Sequence, residues 1–169
     1  MFSDGSAAVL VSRDTTKIQQ KSLRILEQKQ VHIYQGDRDM AWDINSEGFL
    51  MRLSSYVPEL VNSKIKDLLL SLLGHQASFH EEIQHWAIHP GGRKILEVCQ
   101  KELTLPGDSL ASSYAVLRNY GNMSTPTILF VLKDMLRNSK LANSQRLFAC
   151  GFGPGLTLEG ALFEVSEYG

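Results

Sequence analysis

The sequence predicts an α/β fold with a mixed sheet and helices packed on it. Short apolar runs typical of strands alternate along the chain with apolar residues at helical spacing. Two strand-like runs stand next to each other near the C-terminus around a glycine-rich loop, which indicates a directly joined strand pair that a purely parallel sheet would lack. The 169 residues are 43% hydrophobic, which suffices for the core of one domain.

The predicted strands begin close to Met1. Residues 6–12 are small residues and valines with no leader or cap before them, and we expect a buried strand there. A chain that opens inside a strand indicates a piece of something larger. The remaining strands are predicted at residues 23–34 (as one or two strands), 49–53, 83–88, 147–151 and 156–165, with a turn at 36–39.

Four helices are predicted between the strands. Pro58 opens the first helix, because the N–H that proline lacks would be unpaired in a first turn, and Gly74 ends it. A second helix carries apolar residues from Ile95 to Leu103. The last two are predicted over residues 110–119, closed by Gly121, and over residues 127–137, with Ser124 as the N-cap.

Charge and cysteine content limit the class of protein. With 17 basic and 18 acidic side chains the net charge is −1, which argues against dominant binding to nucleic acid or an anionic membrane. No apolar run reaches bilayer-spanning length, and no signal-peptide pattern follows Met1, so we expect a soluble cytoplasmic protein. Cys99 and Cys150 each lie inside an apolar pattern and are expected to be buried thiols.

The glycine-rich loop lies within CGFGPGLTLEGALFEV, Cys150 to Val165. It does not fit a phosphate loop, because the lysine and the following helix are missing and a strand buried on both faces is expected instead. The three glycines at 151, 153 and 155 permit positive φ and close approach of the backbone, and Pro154 stiffens the turn. Two interpretations stay open: a tight connection, or a rigid wall against a ligand.

Four segments together resemble one family. GFGPGLT resembles the C-terminal loop of the chalcone synthase family, the type III polyketide synthases, and FSDGSAAVLV is similar to the strand that begins the family's C-terminal half. WAIHPGGRKIL resembles the segment with the catalytic histidine, and YGNMSTPTILFVL the segment with the catalytic asparagine. MAWDINSEGFLMRLSSYVPELV is more similar to the bacterial long-chain alkylpyrone and alkylresorcinol branch than to plant chalcone synthases.

The resemblance implies that residues 1–169 form the C-terminal half of a thiolase-like fold. The family transfers an acyl group from coenzyme A to a cysteine, condenses it with malonyl-CoA after decarboxylation, and cyclises the product. By resemblance, His89 and Asn122 are the catalytic histidine and asparagine. An imidazole can pair with a thiol and donate to a thioester oxygen, and an amide can donate to an enolate oxygen without carrying charge.

The resemblance also implies a set of residues around the substrate. Phe2 and Met51 map onto two aromatic gatekeeper positions, and methionine in place of the aromatic would widen the passage for a long acyl chain. Coenzyme A is expected near Gly91, Arg93 and Lys94. The other cavity-lining residues are Gly151, Phe152, Gly153, Pro154 and Ser124.

The family's nucleophilic cysteine lies in its N-terminal half, and neither Cys99 nor Cys150 matches it. We therefore expect the isolated chain to expose an apolar face and not to turn over. The expected partners are acyl-CoA, malonyl-CoA, the N-terminal half of the same enzyme and a second copy in a homodimer. No cofactor beyond the coenzyme A thioesters is expected.

Three alternatives remain open. His75, His80, His85 and His89 cluster in sequence with Glu81 and Glu82, but the spacing in HEEIQH is five rather than the four that places two ligands on one helix face. A ketoacyl-ACP synthase III also uses cysteine, histidine and asparagine, but usually has an asparagine where this chain has Gly92, and lacks the GFGPG loop. A non-catalytic half kept for dimerisation or binding would explain the missing nucleophile.

Overall fold

The structure is a computed structural model that describes residues 2–13, 20–46, 48–74, 78–138 and 141–167. Its strands are β1 (Ser22–His32), β2 (Met40–Asn45), β3 (Gly48–Leu53), β4 (His85–Ile88), β5 (Arg146–Gly153) and β6 (Thr157–Ser166). Its helices are α1 (Val57–Leu73), α2 (Phe79–Glu82), α3 (Arg93–Glu102), α4 (Ala111–Tyr120) and α5 (Pro126–Asn138), and a 3-10 turn covers Tyr34–Gly36.

Four strands form a mixed sheet in the order β1-β6-β5-β4. β6 is antiparallel to both of its neighbours, whereas β4 and β5 are parallel and are joined by a crossover through α3, α4 and α5. Strands β2 and β3 form a separate antiparallel hairpin. The predicted α/β class, with a mixed sheet and helices packed on it, is confirmed.

Helices pack on both faces of the sheet, so the core has two parts. On one face, α1 and α3 lie against β4, β5 and β6, and Gly160 allows this contact because a Cβ there would come within 3.0 Å of Leu68 and Leu72. On the other face, α4 and α5 cover β4, β5 and the end of β6. The largest fully buried side chain is Phe148 in the middle of β5.

Sequence signals place α1 well. Pro58 lies in the first turn, and Gly74 follows the helix in the left-handed conformation at φ 75°, donating its N–H to the carbonyl of Leu70. For α5, Ser124 is not at the predicted N-cap position: the helix begins at Pro126, so Thr125 precedes its first residue.

The predicted strand at residues 6–12 is wrong. The structure has no regular secondary structure there, and Val9, Leu10 and Val11 are exposed. An apolar run forms a strand only where a sheet edge can pair with it. The residues just before this segment contact the turn after α4: Phe2 forms a bridge with Asn122, and the Ser3 N–H donates to the Asn122 carbonyl.

Four other differences concern strand existence, strand boundaries and burial. Strand β2 was not predicted, and the strand expected from residue 83 begins at His85, after the short helix α2. β5 continues to Gly153, beyond the predicted end at residue 151. Finally, the second face of β6 is buried only near its end: Val165 is fully buried, whereas Glu159 on the same face is exposed. In the described ranges, none of the helices is long and apolar enough to cross a bilayer.

Candidate functional site

One cavity of about 510 Å³ lies between the ends of β4 and β5, the hairpin β2–β3 and the turn that follows α4. It brings together residues from five separate parts of the sequence. Every residue that was predicted as catalytic, cavity-lining or CoA-binding in this chain contacts it, apart from Arg93. These residues are Phe2, Met51, His89, Gly91, Lys94, Asn122, Ser124, Gly151, Phe152, Gly153 and Pro154.

His89 follows the last residue of β4, and its position is set by the main chain. Its N–H donates to the carbonyl of Cys150 at 2.8 Å and so continues the parallel ladder between β4 and β5. The ring is buried and lies edge-on to Phe152, with 6.3 Å between ring centroids. Burial lowers the pKa of His89 from 6.5 to about 4, because a charged imidazole would lose its hydration there. At neutral pH the ring is therefore neutral, with one nitrogen that donates and one that accepts.

Asn122 lies in the turn between α4 and α5, and its carboxamide is held in one orientation. The oxygen Oδ1 accepts the N–H of Ser124 at 2.9 Å, and Nδ2 donates to the carbonyl of Gly91 at 3.1 Å. An amide nitrogen carries two hydrogens, so the second can serve an oxygen in the cavity. The contacts of Asn122 therefore engage its acceptor Oδ1 and one of the two hydrogens of Nδ2.

The turn around Asn122 is tightened by Ser124 and Thr127. Ser124 adopts φ 62°, a left-handed conformation that is uncommon for serine. Its carbonyl accepts both the N–H of Thr127, at 3.0 Å, and the Thr127 hydroxyl, at 2.7 Å. Thr127 is fully buried and also accepts the N–H of Met123 at 2.8 Å. Strain that the surroundings hold in place is common at functional sites.

Gly91 connects the two polar side chains. Its carbonyl accepts from Asn122, and its own N–H donates to the carbonyl of His89 at 2.9 Å. A Cβ at residue 91 would contact the His89 ring at 3.6 Å. Main-chain groups of Gly91 thus join the Asn122 carboxamide to the backbone of His89, 33 residues away in the sequence.

The wall of the cavity is formed by the end of β5 rather than by a loop of three flexible glycines. Gly151 and Gly153 lie within the strand, and of the three glycines only Gly155 has a positive φ, at 102°. At Gly153 a Cβ would lie 2.7 Å from Oγ1 of Thr157 on the opposite strand, so a larger residue would displace that side chain. The segment is both a tight connection between β5 and β6 and, from Gly151 to Pro154, part of the cavity wall.

The hairpin forms the opposite side of the cavity, and sequence reasoning found only Met51 of its lining residues. The strand pairing places six apolar residues on one face of the hairpin in three directly opposed pairs. Four of them line the cavity: Met40, Trp42, Met51 and Leu53. The alternation of apolar residues from Met40 to Ile44 is the signal that identifies β2.

The basic residues of α3 are paired in this chain. Lys94 lies at the edge of the cavity, with Nζ 3.0 Å from Oε1 of Glu59 on α1, and this contact lowers the pKa of the Glu59 carboxyl. Arg93 is paired with Glu97 one turn along the helix at 2.8 Å and does not line the cavity. Both pairs are exposed, so each contributes little to stability and can open for a ligand phosphate.

Neither cysteine has the properties of a nucleophile. Burial raises the pKa of the Cys99 thiol to about 12 and that of Cys150 well above its ordinary value, so both remain protonated thiols.

The histidines that cluster in the sequence do not form a metal site in the described part of the chain. His75 lies outside the described residues, and within the described ones no three His, Cys, Asp or Glu side chains are close enough to hold a metal ion. Glu82 instead pairs with Arg146, and His85 with Gln145.

Comparison with known proteins identifies the family. Residues 24–166 match the family described as chalcone and stilbene synthases, C-terminal domain, and the chain therefore belongs to that family. This confirms the resemblance seen in the four sequence segments.

Two curated relatives and one solved structure illustrate the match. The chain is 33% identical to a putative chalcone synthase of Bacillus subtilis, over 96% of this chain and 46% of the relative. It is 29% identical to the alpha-pyrone synthesis polyketide synthase-like Pks18 of Mycobacterium tuberculosis, over 98% and 43%. The crystal structure of PKS-I from the brown alga Ectocarpus siliculosus is similar with a TM-score of 0.74 and 28% identity, over 89% and 41%. The chain thus spans a little under half the length of these proteins.

Proposed function

We propose that this chain supplies the histidine and the asparagine of a type III polyketide synthase, which condenses an acyl-CoA starter with malonyl-CoA and cyclises the product. The observation that carries the proposal is that His89 and Asn122 line the same cavity, in which the Gly91 carbonyl holds the Asn122 carboxamide. Two neutral donors that face the same space suit an oxygen that gains negative charge during the reaction.

The chemistry follows from the state of the two side chains. When a malonyl thioester loses carbon dioxide, the electrons of the broken C–C bond form an enolate whose oxygen carries the charge. One N–H of neutral His89 and the second N–H of Asn122 stabilise that oxygen. The enolate carbon then attacks an acyl group held as a thioester on a cysteine, the new C–C bond forms, and the cysteine leaves as a thiolate. That cysteine comes from the N-terminal half, because Cys99 and Cys150 are buried and protonated.

The hairpin favours an aliphatic starter of considerable length. Beyond the four residues that line the cavity, the same face continues outward to Ile44 and Phe49, which are 77% and 73% exposed. Five successive residues of a strand span about 13 Å at a rise of about 3.4 Å each, which matches an extended chain of roughly ten methylene groups. We therefore propose a long-chain acyl group that leaves the cavity along this face.

The partners and the location of the protein belong to the same proposal. The N-terminal half covers apolar surface that the described chain leaves exposed, notably Val9, Leu10 and Val11. A homodimer, a cytoplasmic location and inactivity of the isolated chain complete it. Substrates are the two coenzyme A thioesters, with no other cofactor.

The central test is decarboxylation of malonyl-CoA by the chain assembled with its cysteine-bearing half. His89→Ala and Asn122→Ala should each lower the rate by at least tenfold, since removal of one oxyanion donor costs about 3 kcal/mol. His80→Ala and Asn119→Ala are matched controls, because both side chains are exposed and lie outside the cavity. Near-normal rates in both site variants would refute the proposal and leave a non-catalytic half. A preference for malonyl-carrier protein would instead favour a ketoacyl-ACP synthase III.

The starter is tested on the hairpin. Phe49→Asp places a charge on the apolar face, whereas Leu50→Asp places it on the opposite face, which already carries the pair of Arg52 and Asp43. With a sixteen-carbon starter, Phe49→Asp should raise KM by about tenfold, because burial of the tail loses about 1.4 kcal/mol. A four-carbon starter should show no change. Equal effects of the two variants would contradict an aliphatic tail on this face.

A further inference from the structure

The cavity wall ends in a turn that is held by residues remote from it. We call residues 154–156 the glycine turn; Pro154 lines the cavity, while Gly155 and Leu156 lie behind it. The N–H of Gly155 donates to the carbonyl of Met40 at 2.8 Å, and the carbonyl of Leu156 accepts the N–H of Ile33 at 2.9 Å. Segments on either side of the 3-10 turn thus fix two of the polar groups of the glycine turn.

The third contact comes from a side chain. Nε2 of His32, the last residue of β1, is hydrogen-bonded to the carbonyl of Gly155. Oδ1 of Asp37 lies 3.2 Å from the same nitrogen, and a carboxylate at that distance stabilises a hydrogen on it. The nitrogen that faces Gly155 is therefore the donor. Tyr34 packs on the imidazole, with 4.3 Å between ring centroids, and limits its rotation.

The contact with His32 helps to hold Gly155 in an uncommon backbone conformation. At φ 102° Gly155 lies in a region that few residues adopt, and bonds to both its N–H and its carbonyl hold it there. These bonds fix the two successive peptide units on either side of its Cα. Without the His32 bond, the turn is held only by the main-chain bonds to Met40 and Ile33, so it opens more often and Pro154 shifts with it.

We propose that His32, oriented by Asp37, is a positioning residue that sets the place of Pro154 in the cavity and so controls how the extended chain folds before it cyclises. The inference rests on the proposed function, since it assigns the wall a role in product choice. His32 does not line the cavity, so it acts through Gly155 alone. It should affect which product forms, and leave the decarboxylation carried out at His89 and Asn122 unchanged, because a small displacement of a wall matters for chain orientation.

The variants are His32→Leu, which fills the space without a donor, and His32→Gln, whose amide can donate to Gly155 again. His80→Leu is the control, since it removes another exposed imidazole that packs on a neighbouring ring, Phe79, far from the glycine turn. Three quantities are measured for the chain assembled with its cysteine-bearing half: malonyl-CoA decarboxylation, the ratio of cyclised to linear products, and hydrogen exchange of the Gly155 amide.

For His32→Leu we expect decarboxylation within twofold of the parent, a product ratio lowered at least fivefold, and Gly155 exchange at least tenfold faster. His32→Gln should recover most of both losses, and His80→Leu should change neither. An unchanged product ratio together with unchanged exchange would overturn the proposal, as would an equal effect of His80→Leu. If the parent protein fails to decarboxylate malonyl-CoA, the proposed function fails, and the exchange measurement still decides whether His32 holds the turn.

Discussion

Burial of His89 should make the stability of the protein depend on pH in a way that one substitution removes. The pKa of His89 is about 4 in the folded protein, whereas an unperturbed histidine, as in the unfolded chain, has a pKa of 6.5. As the pH falls below 6.5, the unfolded chain takes up a proton on this residue and the folded chain does not. The free energy of unfolding therefore decreases as the pH falls, and the loss ends below the folded pKa.

The magnitude follows from the two pKa values. The contribution of His89 lowers the free energy of unfolding by about 1.4 kcal/mol at pH 5.5 and by about 3 kcal/mol at pH 4, relative to pH 8. His89→Gln has no titrating group and should lack this part of the decrease. The assay is urea unfolding of both proteins at pH 8, 5.5 and 4, in which the value at pH 8 sets the baseline for each. Parallel decreases in the parent and the variant would show that the imidazole is not desolvated, and would refute the neutral donor assigned to it.

Three further outcomes test packing and the backbone. Phe148→Ala should lower the free energy of unfolding by about 3–5 kcal/mol in urea titrations, because the ring is fully buried in β5. Gly155→Ala should destabilise by about 1 kcal/mol because of its positive φ, whereas Gly107→Ala, in open space, should not; equal effects would contradict the assigned conformation. Cys99 and Cys150 should react with a thiol reagent only after unfolding, and rapid labelling of the native chain would show that a thiol is accessible.

Local sequence signals were sufficient to predict structural features that depend only on neighbouring residues in the chain. His89 follows an apolar run and precedes Pro90, Gly91 and Gly92, and this order alone indicates a strand that ends at the histidine. The pair β5–β6 was found because the glycine-rich segment stands between two apolar runs. The placement of Asn122 came from the resemblance, and the turn around it explains why the amide is oriented.

Other features depend on contacts that the sequence does not display. Residues 6–12 have the composition of a strand, but composition does not indicate whether a sheet edge is available. Strand β2 has an alternating pattern that the sequence does display, but its pairing with β3 is apparent only from the register, in which Met40 faces Leu53. The contact of His32 with Gly155 joins residues 123 positions apart, and no local pattern indicates it.

The two ends of the cavity wall are held in different ways. At one end, His89 is locked to Cys150 by a main-chain bond that does not depend on which side chains are present. At the other, the carbonyl of Gly155, next to Pro154, is hydrogen-bonded to the imidazole of His32. Substitutions around residue 155 can therefore reshape one end of the wall without disturbing the main-chain bond that places His89 at the other.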